Sequence, residues 1–70
     1  MPRRRHQLDE LRDLCRAGRV SRAVDLAFEH FAVFGRDDAV VDLLAAAIEQ
    51  SGGSAAVRRR FAELEAAASP

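Results

Sequence analysis

The chain has no lysine, no tryptophan and no tyrosine, and only one cysteine, two prolines and four glycines. Each scarcity excludes something. A lone cysteine, Cys15, cannot form a disulfide within the chain. No apolar run approaches the roughly eighteen residues that a membrane-spanning helix needs. The basic start, Arg3-Arg4-Arg5, is not followed by an apolar stretch, so it does not read as a secretory signal. A soluble cytoplasmic protein without membrane association is expected. With four Phe as the whole aromatic complement, a core must be assembled from closely packed Leu, Val and Ala.

Lysine's absence leaves arginine as the sole basic residue type. Eleven basic residues balance eleven Asp plus Glu, for a net charge of zero. A GC-rich genome accounts for the arginine bias. Selection for the planar, bidentate guanidinium at anionic partners is the functional alternative. Zero net charge argues against a strongly electrostatic nucleic-acid binder, although local patches can still act. Seventy residues make one domain of small core, for which packing must be close or association must help.

What is present is helical periodicity. Residues 1–6 read as a mobile basic tail, followed by one helical domain over residues 7–68. A first helix is expected from Gln7 to Ala17, with Leu8, Leu11, Leu14 and Cys15 as its apolar stripe. Asp9 and Glu10 would stand in its first turns, and Gly18 would stop it. A second helix is expected from Ser21, as N-cap, to Phe34. It is apolar over most of its circumference, which marks it as the central helix. Leu26, Val33 and Phe34 lie away from its Val24–Ala27–Phe31 face. They either meet later helices or form an exposed patch. Asp37 and Asp38 would open a third helix ending near Gln50, and Ser51-Gly52-Gly53-Ser54 is a turn. A fourth helix would run from Ser54 to Ala67, with Val57, Phe61 and Leu64 inward and Ala68 at its fringe. The fold class is therefore all-α: four short helices forming two antiparallel hairpins.

The segment Gly18-Arg19-Val20-Ser21-Arg22-Ala23-Val24 resembles the turn and second helix of a tetratricopeptide repeat. In that family a Gly ends the first helix and a small Ala soon after lets the two helices approach; Ala23 stands at that spacing. Gly52 follows Gly18 by thirty-four residues, the family's repeat length. Gln7 and Leu11 stand where the family has an aromatic residue and a Gly, and Gly35 replaces its closing Pro. The resemblance implies a pair of repeat-like hairpins; none of the family's peptide-binding residues maps here. A plain four-helix bundle is the alternative.

No catalytic, cofactor or metal motif emerges. His6, Cys15 and His30 fit no ligand spacing. Ser21, Ser51 and Ser54 sit where helix starts and turns use serine. Asp37-Asp38 is explained by capping, and His30 by a place on the polar strip of its helix, at the solvent boundary. The expectation is thus a non-enzymatic protein–protein interaction adaptor or regulatory subunit, able to form a homo-oligomer. It would bind its partner through Arg58, Arg59 and Arg60 with Leu26 and Val33. The alternative is a small DNA- or RNA-binding regulator using Arg3, Arg4 and Arg5 with the arginines of the fourth helix. The second helix is too apolar to serve as a reading head in a major groove.

Overall fold

The computed structural model describes residues 4–67, with side chains from 5 to 66. Four helices form an all-α bundle: α1 (Arg4–Arg16), α2 (Val20–Phe34), α3 (Asp38–Ser51) and α4 (Ala55–Ala67).

Helix α1 starts three residues earlier than the expected Gln7, so Arg4, Arg5 and His6 belong to its first turn and not to a tail. Arginine is a good helix former, and no breaker separates Arg4 from Gln7. The first turn accordingly carries no acidic residue; Asp9 and Glu10 lie in the second. The far end closes as Gly18 allows. Gly18 N–H donates to the Cys15 carbonyl at 3.1 Å, and Arg19 N–H donates to the Leu14 carbonyl at 2.8 Å. This paired closure requires a left-handed residue, and Gly18 has φ of 77°. The chain then re-enters helix after Arg19 alone. That brevity displaces Ser21 from its expected capping role: Arg19 occupies the cap position and its side chain caps nothing.

A Cβ at Gly18 would meet no atom within 4 Å, so a substitution there tests backbone strain alone. Gly18→Val is expected to cost about 1–2 kcal/mol. That lowers the melting temperature by about 4–8 °C per kcal/mol in a domain of this size. An unchanged melting temperature would show that the turn tolerates another closure.

Helix α2 touches each of the other three. Its Val20, Ala23, Val24 and Ala27 join Leu11 of α1, Val40, Leu44, Ala47 and Ile48 of α3, and Leu64 of α4 in one buried cluster. The inward residues recur at three- and four-residue spacing, the period of one helical face. Alanines at positions 23, 27 and 47 let backbones approach, and Leu and Val supply the area. Of the aromatics, Phe28, Phe31 and Phe61 pack partly buried at the cluster's margin.

The Cα envelope measures 32 × 27 × 15 Å. So thin a body leaves every helix a solvent face, α2 included. The apolarity of α2 therefore ends in exposure on one side: Val33 is 59% exposed and Phe34 39%.

Helix α2 stops at Gly35, with φ of 83° and ψ of −174°, a conformation open essentially to glycine alone. Two residues later Asp37 caps α3, its Oδ1 accepting from Ala39 N–H at 3.1 Å. Ser54 caps α4 in the same manner, its Oγ accepting from Val57 N–H at 3.2 Å. Ala68 lies outside the described residues. Among the described residues no helix is long and apolar enough to cross a membrane.

Candidate docking surface

Among the described residues one buried polar cluster and two open clefts stand out.

The buried cluster is centred on His30, which is fully buried and so departs from the expected place at the solvent boundary. Its Nε2 lies 3.0 Å from Asp37 Oδ2, and its Nδ1 lies 2.6 Å from Gln7 Oε1. The carboxylate only accepts, so Nε2 carries a proton. Nδ1 either donates to the Gln7 oxygen or, with the amide turned over, accepts from its NH2 group. The Phe34 ring lies 4.9 Å from the imidazole, centroid to centroid. A His–Asp pair supplies two of the three members of a nucleophilic triad, but here both ring nitrogens are engaged and the ring is sealed from solvent. The trio instead clasps the start of α1, the end of α2 and the cap of α3. The meeting of Gln7 with His30 also fixes α1 and α2 as antiparallel. Among the described residues no buried side-chain nitrogen or oxygen lacks a partner.

The first cleft, of about 390 Å³, opens between α1 and α2. Helix α1 contributes Glu10, Asp13 and Leu14; α2 contributes Arg22, Asp25, Leu26 and Glu29. Leu14 and Leu26 are half-buried and make its apolar floor. Four carboxylates and one guanidinium stand around them. Val33 follows Leu26 by seven residues, two helical turns, and so continues the same strip beyond the cleft.

The second cleft, of about 540 Å³, opens between α1 and α3. Arg12 and Arg16 line it from α1, and Leu43 and Ala47 from α3, with Cys15 between. Cys15 is half-buried instead of enclosed in the core, and burial pushes its thiol up from the ordinary range. The thiolate is the reactive form. Alkylation by iodoacetamide at neutral pH is therefore expected to be slower in the folded chain than after denaturation. The gap should narrow as pH rises through the raised value. Equal rates at neutral pH would contradict this environment.

The structure does not bring the three expected arginines of α4 to one face. Successive helical residues point about 100° apart, so three in a row cannot share a face. Arg58 Nε donates to the Gly53 carbonyl at 3.1 Å. Arg59 is exposed. Arg60 is committed to the bundle: its Nη2 donates to Asp25 Oδ1 at 3.1 Å, and its guanidinium lies 4.2 Å above the Phe28 ring. It also lies 3.5 Å from Glu63. This arginine fastens α4 to α2 beside the first cleft. Leu26 and Val33, by contrast, do share one face of α2. Arg5 is exposed on α1, while Arg3 and the Arg4 side chain lie outside the described residues.

Among the described residues no group of three or more His, Cys, Asp or Glu side chains converges to hold a metal ion. No family model, curated protein or solved structure matches the chain.

The Gln7–His30–Asp37 clasp was not foreseen from sequence, nor was the Arg60 bracket. Both join residues distant in the chain by polar contacts, which leave no periodic trace. One signal was available: a histidine inside an otherwise apolar helix, seven residues before an N-cap aspartate.

Proposed function

We propose that this chain is a non-enzymatic interaction module that receives a partner protein on the outward strip of α2. The observation that carries this reading is the uncovered apolar strip itself. Leu26 floors an open cleft against α1, and Val33 stands 59% exposed one heptad on. Apolar side chains aligned at helical spacing and rimmed by charge are what a helix-in-groove interface uses. The paired left-handed closures at Gly18 and Gly52, thirty-four residues apart, support a tetratricopeptide-like arrangement as the frame for that strip.

The test is selection of binders from a displayed library of helical peptides. Enriched peptides are expected to bind the wild-type chain and to lose binding when Leu26→Gln and Val33→Gln are combined. Val33 is exposed and Leu26 is only partly buried at the core's margin, so circular dichroism should show the fold retained. Failure to enrich any peptide, or binders indifferent to both substitutions, would refute the reading. A salt titration with duplex DNA examines the rival use of Arg5, Arg58 and Arg59. Phosphate contacts would give binding that weakens steeply with salt; the interaction reading expects none.

A further inference from the structure

The charge around the α1–α2 cleft goes further than the interaction reading, on which the present step rests. We infer that the cleft takes a cationic amphipathic helix from another protein, with apolar side chains on Leu14, Leu26 and Val33 and basic ones against the carboxylate rim.

The rim has two walls. Glu10 and Asp13 stand on α1, Asp25 and Glu29 on α2. Asp25 is answered by Arg60 from the far side. No ion pair within the described residues engages Glu10, Asp13 or Glu29. Among the described residues Arg22 is the one basic side chain lining the cleft, so the local balance is negative in a chain of zero net charge. An acidic or phosphorylated partner would meet like charge on both sides of the floor. A cationic one meets opposite charge on both sides, which raises the association rate and fixes the register.

Size and period also fit a helix. Leu26 and Val33 are separated by two turns, about 10 Å along α2. A partner helix laid along the strip would present anchors at the same heptad spacing to both. The occupant must therefore combine exposed apolar residues with Lys or Arg beside them. A second copy of this chain does not offer that combination. The arginines of α4 flank Val57, Phe61 and Leu64, which are spent on the bundle's own packing. The same holds for Arg12 and Arg16 of α1, whose neighbours Leu8 and Leu11 pack inward. Of the large apolar side chains exposed among the described residues, Val33 continues the cleft's own strip, and Phe34 stands against the His30 ring with the nearby Arg36 paired to Asp38.

The experiment uses the full chain and two fluorescent peptides of about sixteen residues. One is an amphipathic helix of Leu and Lys, the other its counterpart of Leu and Glu. Anisotropy is read at about 0.02 M and about 0.3 M salt. The Leu/Lys peptide is expected to bind at low salt and to weaken at least about tenfold at high salt. Glu10→Gln with Glu29→Gln, which keeps the apolar floor, should weaken it about tenfold or more and flatten the salt dependence. Leu26→Lys should abolish binding. Arg58→Ala with Arg59→Ala should leave it unchanged. The inference is overturned if the Leu/Glu peptide binds as tightly, if the Glu10/Glu29 double variant binds as the wild type does, or if no cationic binding appears at low salt. A homodimer in light scattering that Glu10→Gln with Glu29→Gln dissolves would also overturn it, because the occupant would then be a second copy. Library binders that need Leu26 yet carry no basic residues would leave the interaction reading standing and remove only this one. Failure of the library to yield any binder would remove both.

Discussion

Leu64→Ala is expected to destabilise the chain by about 2–5 kcal/mol, the range for emptying a fully enclosed leucine site. Leu64 is wholly buried and is the fully buried hydrophobic side chain that α4 contributes to the core. The other apolar contacts of α4, Val57 and Phe61, are only partly covered. A domain of this length has a total stability of about 4–10 kcal/mol, so the loss consumes a large fraction of it. The melting temperature should fall by more than about 10 °C. Leu64→Met, which conserves volume, should cost less than about 1.5 kcal/mol. The loss should also be local at first. Helix α4 is held to α2 by Leu64 and by the Arg60 contacts with Asp25 and Phe28. The Arg60 contacts are half-exposed and each is worth about 1 kcal/mol or less. In hydrogen exchange, α4 amides should therefore lose protection before those of α1–α3. A melting point within a few degrees of wild type, or uniform loss of protection, would show that α4 is not hung on this one side chain.

The elements legible in the sequence were those set by local chemistry. Gly18, Gly35 and Gly52 end helices because each takes a positive φ, a need that acts within one turn of chain. Asp37 and Ser54 cap helices for an equally local reason. The inward face of α3, with Val40, Val41, Leu44, Ala47 and Ile48, recurs at the three- and four-residue spacing of one helical face, a pattern the sequence itself displays. Ser21 misled because the double closure at Gly18 leaves no room for a separate cap. The start of α1 was missed because consecutive arginines look like a solvated tail, although arginine favours helix.

The candidate site was legible by half. Leu26 and Val33 could be picked out as off the core face of α2. Their exposure depended on which side of α2 lacks a neighbour, and that is settled by the docking of α3 and α4. Arg60 was indistinguishable from Arg58 and Arg59 in sequence. Only the approach of α4 to Asp25 and Phe28 separates an arginine that braces the bundle from those that face water. The acidic rim was invisible for the same reason: Glu10 and Asp13 on one helix join Asp25 and Glu29 only once the hairpin folds.

The same dependence on three separate elements makes Asp37 the most consequential polar position. Asp37→Ala is expected to cost about 1.5–5 kcal/mol from two losses. The α3 cap that Oδ1 provides to Ala39 N–H is worth about 0.5–2 kcal/mol. Oδ2 holds His30 Nε2, and a buried donor left unsatisfied costs about 1–3 kcal/mol more. Asp37→Asn separates the two. Asparagine caps about as well as aspartate, but with its oxygen on Ala39 N–H it turns an amide NH2 donor toward His30 Nε2 where the carboxylate accepted. What Asn loses is the charge-assisted bond to the imidazole, so its cost should fall well below that of Ala. A double-mutant cycle with His30→Phe completes the separation. Removing the imidazole first removes the orphaned donor, so Asp37→Ala in the His30→Phe background should cost only the capping share. A coupling energy near zero would mean that His30 and Asp37 contribute independently and that the clasp is not a unit. A coupling of about 1–3 kcal/mol would establish that α2 and the cap of α3 are locked through one histidine.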